Sequence, residues 1–432
     1  MKTIIWTSAS AEQQAEALQR PATGADPALA EKVGKILADV KSRGDEALSE
    51  LAQRFDGVAL KDFRVSKDDM ATAIGKITPR LSAAIQQAKA NITAFHEAAR
   101  PQTVKIETMP GVVCELHWRP IEKIGFYIPG GTAPLFSTVL MQGIPAQIAG
   151  NRQAILCTPP RKDGSVHPAI LTAAQLCGIT QIYALGGAQA IAAMAYGTAS
   201  IPKVDKIFGP GNAYVTMAKQ LVAQDAAGAA IDMPAGPSEV MVIADGQAEP
   251  KWVAADLLAQ AEHDASAQAI LVTTDDAMAS QVQSAVLEQL AALPRRAIAE
   301  ASLKEGRIII VSSMAQAIHI ANLYAPEHLI LHAENAGEAL PAIQHAGSVF
   351  LGPWTPESAG DYASGTNHVL PTYGYARAFG GLTVMSFLKS MSVQTITRDG
   401  LRALGPALIE MAEAEGLGAH AASVRIRVES NR

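Results

Sequence analysis

The sequence predicts an α/β protein built on two doubly wound parallel sheets. From about residue 110 onward, short apolar runs alternate with helical segments, an order typical of parallel sheets wrapped by helices. Nine such runs are too many for one sheet, and 432 residues are too many for one ordinary domain. The predicted strands are Ile124–Ile128, Ala154–Cys157, Ile182–Leu185, Lys206–Phe208, Val240–Ile243, Ala269–Thr273, Arg307–Val311, His328–Leu331 and Ser348–Leu351.

Four parts follow one another along the chain. Apolar residues at helical spacing predict a helical region at 1–110, which we expect to pack with the second lobe. Residues 111–236 and 237–380 form the two α/β lobes, each expected to be Rossmann-like but incomplete, with the Gly- and Pro-rich Met233–Ser238 at their crossing. Residues 381–432 carry one helical segment and little strand signal, which indicates a C-terminal tail that docks elsewhere.

Composition and charge exclude several classes of protein. Hydrophobic residues make up 49% and charged residues 18%, the opposite of a disordered chain. A net charge of -6 without a long basic run argues against nucleic acid as a partner. The most apolar stretch, Ile182–Pro202, has the pattern of a strand, a turn and a helix, so we expect no membrane span. The first residues contain no long apolar region, so we expect no signal peptide. Three cysteines without a CxxC pair (Cys114, Cys157 and Cys177) indicate a reducing, cytoplasmic location.

Glycine-rich turns follow three strands of the first lobe. They are Tyr127–Gly131, Leu185–Gln189 and Phe208–Asn212. Backbone N–H groups in such turns can hold a phosphate, and ligands of open α/β sheets bind beyond the carboxyl ends of the strands. Ordinary tight turns also need glycine, so a single turn carries little weight. A full G-x-G-x-x-G is absent because Tyr214 occupies the third glycine position, so a dinucleotide would bind in a non-standard way.

Polar residues concentrate in the second lobe. Gln260 and His263 are spaced to share one helix face and one metal ion, although a histidine near a helix C-terminus is also common. Glu327 and His328 form a pair suited to general acid–base catalysis, or an exposed polar pair at the start of a strand. The long segment Trp354–His368 contains further polar side chains, and irregular segments of this length are usually functional or disordered.

Longer motifs allow a family to be recognised. The sequence resembles the histidinol dehydrogenase family over nearly its whole length. The motifs that carry this resemblance are RGDEAL at 43–48, YIPGGTAPLFSTVLM at 127–141, GGAQAIAA at 186–193, VDKIFGPGNAYVT at 204–216, IDMPAGPSEV at 231–240, QAEHD at 260–264, APEHLI at 325–330 and GPWTPESAGDYASGTNHVLPT at 352–372.

The resemblance implies an enzyme that uses zinc and NAD to oxidise L-histidinol to L-histidine through the aldehyde, with two NAD reduced. It also implies a homodimer in which the C-terminal tail completes the partner's active site. By position, it assigns Glu327 and His328 to catalysis. The implied zinc ligands are Gln260, His263, Asp361 and His420. The implied substrate contacts are Ser238, Gln260, His263, His328, Asp361, Glu415 and His420, and the implied NAD contacts are Tyr127, Gln189 and Asn212.

The implied chemistry agrees with these residue types. Hydride leaves an alcohol carbon only if the hydroxyl proton is removed, and His328 is the expected base. The second oxidation needs a hydrated aldehyde, and Glu327 is the expected group to activate water. Two alternatives remain at this stage: a zinc hydrolase, which would not need the glycine-rich turns, and a two-lobed binding protein, for which a secretion signal and no metal set would be expected.

Overall fold

The computed structural model describes residues 1–21, 27–60, 62–130, 133–233 and 236–430. None of the helices in these ranges is both long and apolar enough to cross a bilayer. The strands are β1 Lys2–Ile5, β2 Val104–Met109, β3 Val112–Pro120, β4 Lys123–Tyr127, β5 Gln153–Thr158, β6 Gln181–Ala184, β7 Lys206–Phe208, β8 Ala230–Ile231, β9 Glu239–Ala244, β10 Gln268–Thr273, β11 Arg307–Ile310, β12 His328–His332, β13 Ser348–Leu351 and β14 Leu388–Ile396. The α-helices are α1 Ala11–Ala17, α2 Pro27–Arg43, α3 Asp45–Phe55, α4 Lys67–Thr72, α5 Pro79–Ala98, α6 Phe136–Ala149, α7 Pro168–Leu176, α8 Gly187–Tyr196, α9 Ala213–Gln224, α10 Pro250–Ala261, α11 Asp276–Leu290, α12 Arg296–Lys304, α13 Met314–Tyr324, α14 Ala336–Ala339, α15 Glu357–Tyr362, α16 Arg398–Ala414 and α17 Gly418–Glu429.

The first lobe contains a five-stranded parallel sheet in the order β6-β5-β4-β7-β8. Counted within this lobe alone, the order is 3-2-1-4-5, which is a doubly wound arrangement. Its four predicted strands are confirmed within one residue at each end, and β8 is an addition. The winding direction reverses between β4 and β7, so a crevice is expected beyond the carboxyl ends of these two strands.

The second lobe contains a six-stranded parallel sheet in the order β1-β11-β10-β9-β12-β13. Its five predicted strands are also confirmed within one residue. Alternate side chains of β9 enter different cores: Val240 and Val242 pack on one face, and Met241 and Ile243 on the other. The sheet is therefore buried on both faces, which explains why its strands read as continuous apolar runs.

The N-terminal region divides between the two lobes, which corrects the expectation that it packs with the second. Strand β1 pairs with β11 and extends the second sheet, and Trp6 and Ala17 enter the core beside it. Helix α2, however, packs on α8 and α9, and α5 packs on α6, all of which belong to the first lobe. The apolar stripe of α2, with Val33, Leu37 and Val40, is buried in the first lobe's core.

A third, antiparallel sheet joins the C-terminal tail to the start of the first lobe. Its order is β14-β3-β2, with Leu388 opposite Pro120 and Ile396 opposite Val112. Strand β14 was not predicted, because most of its side chains are exposed and neither of its faces is continuously apolar. Beyond it, α16 and α17 pack mainly against each other, with Gly405 close to the side chain of Val428. The tail thus forms an arm on the antiparallel sheet.

Two contacts hold the lobes together near the crossing segment. The Gly236 N–H donates to Thr372 Oγ1 at 2.6 Å, and a Cβ on Gly236 would lie 1.7 Å from the ring of Tyr373. Glycine is therefore required here by close packing on an aromatic ring. Nearby, Asn367 Nδ2 donates to the carbonyl of Met141 on α6 at 2.6 Å. Both contacts tie the segment after β13 to the other parts of the molecule.

Candidate active site

The polar residues of the second lobe meet at the amino ends of its central strands. Glu327 and His328 stand at the start of β12, and Ser238 directly precedes β9, the neighbouring strand. Helix α10 runs back from the opposite edge, so Gln260 and His263 at its C-terminal end reach the same place. The candidate residues therefore follow the carboxyl ends of strands in the first lobe, as expected, but stand at the amino ends of β9 and β12 in the second.

The backbone of Glu239 contacts both Glu327 and His328. Its N–H donates to Glu327 Oε2 at 2.8 Å, and its carbonyl lies 3.2 Å from His328 Nδ1. Its carboxylate accepts two hydrogen bonds from the Arg20 guanidinium, at 2.5 and 3.0 Å, and one from the N–H of Tyr373 at 2.8 Å. This buried, charge-assisted bidentate pair holds the peptide groups that position both catalytic candidates.

Burial raises the pKa of Glu327 well above its usual value, and the Glu239 and Asp361 carboxylates raise it further. Only the N–H of Glu239 opposes this shift. A carboxyl in such surroundings holds a proton more readily than one in water, and in its ionised form it is therefore a stronger base.

Burial lowers the pKa of His328 to about 4, with the Asp361 carboxylate opposing the shift. The imidazole is therefore neutral near pH 7. The Glu239 carbonyl beside Nδ1 assigns the proton to that nitrogen. Nε2 then carries the lone pair, and it has no hydrogen-bond partner in the described part of the chain, with Asp361 Oδ1 3.8 Å away. A neutral, buried imidazole with a free nitrogen is suited to accept a proton.

Several groups here could hold a metal ion. His263 Nε2 and Asp361 Oδ2 lie 4.0 Å apart, with His263 exposed and Asp361 mostly buried. Ligand atoms of His328, Glu357 and Asp361 also lie within 4.8 Å of one another. Glu357 was not predicted as a site residue. It begins α15, four residues before Asp361, within a segment expected to be irregular.

The side chain of Gln260 is fully buried, and its hydrogen bonds determine its orientation. Its amide nitrogen faces Glu357 Oε1 at 3.0 Å and the carbonyl of Glu239 at 3.2 Å. The same nitrogen lies 3.2 Å from His328 Nδ1. Because the Glu239 carbonyl and the ionised Glu357 carboxylate can only accept, the amide oxygen must point to the opposite side.

Glu415 and His420 are not brought to this cluster within one chain. Both are exposed, one after α16 and the other in α17, on the C-terminal arm. Within the described ranges, neither side chain makes a hydrogen bond or an ion pair, whereas the N–H of His420 donates to Leu417 within the same arm. The other second-lobe candidates all lie at or beside the amino ends of β9 and β12.

The first-lobe candidates Tyr127, Gln189 and Asn212 stand at or just after the carboxyl ends of β4, β6 and β7. Tyr127 ends β4, and its hydroxyl accepts a hydrogen bond from the N–H of Gly187 at 3.1 Å. Burial raises the pKa of this phenol to about 12. Asn212 caps α9 directly after β7. Gln189 is buried in the first turn of α8, and its Nε2 finds no partner among the described residues. Gly131, at the end of the first turn, lies outside these residues.

A buried ion pair that the sequence did not reveal supports the turn at Gly209. Lys219 Nζ lies 2.5 Å from Asp232 Oδ1 and donates to the Gly209 carbonyl at 2.7 Å. Asp232 in turn accepts the N–H of Gly209 at 2.8 Å. Gly209 has a φ of +121°, and a Cβ there would lie 2.1 Å from the Tyr127 carbonyl oxygen. Position 209 therefore requires glycine. Its N–H is hydrogen-bonded to Asp232 and its carbonyl to Lys219.

His368 connects the two lobes through the same site. Its Nδ1 donates to the backbone carbonyl of Asp361 at 2.7 Å, and its Nε2 lies 3.1 Å from Thr138 Oγ1 on α6. The second-lobe cluster therefore faces α6, the helix that follows the first glycine-rich turn.

Glycine-rich turns on one parallel sheet, with a neutral imidazole and buried carboxyls on a second, define a two-lobed α/β protein with an enzyme-like site. Residues 18–428 match the family profile described as histidinol dehydrogenase. The histidinol dehydrogenases of Vibrio cholerae and Xanthomonas campestris are 54% and 52% identical over 429 and 428 residues, 99% of each chain. The crystal structure of histidinol dehydrogenase from Elizabethkingia anophelis, 50% identical, matches with a TM-score of 0.95 over 99% of this chain and 98% of that one. The chain belongs to the histidinol dehydrogenase family, whose members are NAD-dependent oxidoreductases, and the hydrolase and binding-protein alternatives are set aside.

Proposed function

We propose that this enzyme oxidises L-histidinol to L-histidine by way of the aldehyde, as the last steps of histidine biosynthesis, with zinc bound and two NAD⁺ reduced. The observation that carries the proposal is the free Nε2 of a neutral, buried His328 beside a carboxyl, Glu327, whose pKa burial has raised. One group can accept the hydroxyl proton, and the other can serve the water needed in the second oxidation. Three unpaired cysteines are consistent with a cytoplasmic location.

The donor set at the mouth of the cluster fits zinc. Zinc takes imidazole nitrogen and carboxylate or amide oxygen at about 2.0–2.2 Å, so two of its ligands lie roughly 3–3.5 Å apart. The 4.0 Å between His263 and Asp361 is close to that separation, and the Gln260 amide can offer an oxygen. These three residues would hold zinc together with His420 of a second copy. When bound, zinc would anchor the imidazole and amine of the substrate.

The first-lobe crevice fits a dinucleotide. Tyr127 and Asn212 follow the two strands between which the winding reverses, and the unpaired Nε2 of buried Gln189 offers a hydrogen-bond donor. These three residues would contact NAD, which carries away the hydride. A Cβ on Gly209 would lie 2.1 Å from the Tyr127 carbonyl oxygen, so the chain segments after β4 and β7 approach each other closely. Backbone N–H groups of such turns are where a phosphate would bind.

In the first oxidation, the hydroxyl proton of histidinol would pass to Nε2 of His328, and a hydride would pass from the carbon that bears this hydroxyl to NAD⁺. The hydrogen bond from Nδ1 to the Glu239 carbonyl stabilises the imidazolium that forms, as does the Asp361 carboxylate 3.8 Å from Nε2. The substrate itself would be positioned by Ser238, Gln260, His263, His328 and Asp361, together with Glu415 and His420 of a second copy.

In the second oxidation, water adds to the aldehyde, and the loss of a second hydride and of two protons in total gives the carboxylate. Glu327 would accept the proton of that water. Its carboxyl is held by the Glu239 N–H within the same cluster, so it can act without a change in backbone position. The adjacent imidazole, after it has released the first proton to solvent, accepts the hydroxyl proton of the hydrate, as in the first oxidation.

The C-terminal arm supports a homodimer with shared sites. Helices α16 and α17 contact mainly each other, and Met411, Leu417 and Ile426 on the arm are exposed apolar side chains. An arm of this kind gains stability by packing on another surface. A second copy would receive it, and Glu415 and His420 would then complete that copy's site.

The test is NADH formation, followed at 340 nm, with L-histidinol and NAD⁺. Zinc-loaded enzyme should form NADH, and a chelator should abolish the reaction until zinc is restored. Absence of NADH with zinc-loaded, folded protein would contradict the proposal. For the shared site, mixing inactive H420A with inactive H328N should restore part of the activity in the mixed dimer. No recovery after verified mixing would show that each site is built within one chain.

A further inference from the structure

One buried carboxylate lies beside the proposed zinc site without belonging to its ligand set. Glu357 is 1% exposed, and its Oε1 lies 3.0 Å from the amide nitrogen of Gln260. The same oxygen lies 3.5 Å from His328 Nδ1, and Oε2 has no partner in the described ranges. The N–H of Glu357 is bonded to the carboxylate of Asp256, which anchors the start of α15 on α10.

The two ends of a glutamine amide have nearly the same shape but opposite hydrogen-bonding character. Only the oxygen can bind a metal ion, whereas only the nitrogen can donate to a carboxylate. With the nitrogen toward Glu357 and the Glu239 carbonyl, both of its protons meet acceptors. The reversed amide would place its oxygen against a carboxylate oxygen and a carbonyl oxygen, with His328 Nδ1 at 3.2 Å as its one donor in the described part of the chain, so that it would exchange two hydrogen bonds for one.

We propose that Glu357 is a positioning residue that holds the Gln260 amide with its oxygen directed at the metal. The inference rests on the proposed zinc site and adds the residue that orients one of its ligands. Hydrogen-bonding partners of metal ligands typically contribute about 10–100-fold to metal affinity.

An alternative role for Glu357 is direct ligation, since its carboxylate lies within 4.8 Å of ligand atoms of His328 and Asp361. A double-substitution cycle separates the two roles. Zinc affinity of the full-length, metal-stripped protein is measured by competition with a chromophoric chelator for the native protein, E357A, Q260A and the double variant. The visible absorption spectrum with Co²⁺ in place of zinc reports the ligand field independently.

Positioning predicts that E357A weakens zinc binding about 10–100-fold when Gln260 is present and less than about threefold when it is alanine. It also predicts an altered Co²⁺ spectrum for E357A. E357Q, whose side-chain carbonyl can still accept from the amide, should recover most of the affinity. D256N is the matched control, since Asn can still accept the Glu357 N–H, and its zinc affinity should stay within about threefold of native.

Equal loss of affinity in both backgrounds would assign Glu357 as a direct ligand and overturn the proposal, as would unchanged affinity in E357A. If E357A does not fold, E357M preserves packing volume while removing the acceptor, and the same outcomes apply. Failure of the zinc site itself would look different. In that case the native protein would bind no zinc, or H263A and Q260A would bind it as tightly as native.

Discussion

Replacing Lys219 with methionine should strongly destabilise the protein. The Lys219 and Asp232 side chains are 4% and 1% exposed, and their charged atoms lie 2.5 Å apart. Removing the lysine leaves a buried aspartate without its counter-ion, which typically costs about 3–5 kcal/mol. The Gly209 carbonyl also loses its donor, for about 1 kcal/mol more. We therefore expect the free energy of unfolding to fall by about 5 kcal/mol.

A matched control exists on the surface. Lys41 and Asp225 approach to 2.6 Å, but their side chains are 46% and 31% exposed. Substituting methionine for Lys41 should cost no more than about 1 kcal/mol, because solvent screens an exposed pair. Urea unfolding followed by circular dichroism measures both variants. The double variant K219M/D232N should recover part of the loss, since no unpaired buried charge remains.

NAD⁺ affinity provides a second measurement of the same pair. The Lys219–Asp232 pair is hydrogen-bonded to both the N–H and the carbonyl of Gly209, so K219M should make the turn that leads to Asn212 less ordered. NAD⁺ binding should then weaken about tenfold for each 1.4 kcal/mol of binding free energy lost. Fluorescence titration of folded K219M against K41M measures this. If both variants lose the same small stability and bind NAD⁺ equally well, the reasoning about the buried pair is wrong.

Three further predictions follow from the structure. H328N should slow the first oxidation, whereas E327Q should mainly impair conversion of the aldehyde; stopped-flow traces started from histidinol and from histidinaldehyde separate these steps, and equal losses in E327Q would contradict its role. A chromogenic disulfide reagent should react rapidly with one thiol per chain, Cys114, because the other two cysteines are buried and burial raises the pKa of each thiol; rapid reaction of all three in folded protein would count against the packing. Burial lowers the pKa of His96 to about 4. The free energy of unfolding that this neutral histidine contributes above pH 6.5 should therefore be lost as the pH falls toward 4, by about 2–3 kcal/mol. The free energy of unfolding of H96Q should depend less steeply on pH, and equal pH dependences of the two proteins would contradict this prediction.

The strands of both parallel sheets could be predicted from the sequence because they are buried on both faces. Val240–Ile243, for example, is an unbroken apolar run, and the strand extends it by only one residue at each end. The strands that were missed lack this signal. β14 has mostly exposed side chains and gains its regularity by pairing with β3, while β1 has only four residues and forms by pairing with β11, about 300 positions away.

The candidate site was predictable in part. Glu327, His328 and Asp361 could be singled out from their motifs, and the structure brings them together. Glu357 was missed because the segment around it was expected to be irregular. Its spacing of four from Asp361 would have placed both on one helix face had a helix been expected. Its contact with Gln260 depends on the packing of α15 beside α10, which local sequence does not encode.

The position of the site in the second lobe could not be obtained from the rule for open α/β sheets. That rule places ligands at carboxyl ends and is followed by Tyr127 and Asn212 in the first lobe. In the second lobe the functional side chains stand at the amino ends, because that edge faces α6 of the first lobe, to which His368 is hydrogen-bonded through Thr138. Lobe-to-lobe contact therefore selects the edge, and this is a property of the tertiary fold.

The central claim is a four-electron oxidation of histidinol at one site. Its most direct test is the ratio of NADH formed to histidinol consumed by zinc-loaded enzyme, with limiting histidinol, excess NAD⁺ and chromatographic identification of the product. The account predicts about two NADH per histidinol, with histidine as the product and no accumulated aldehyde. One NADH per histidinol with the aldehyde as the final product would contradict it.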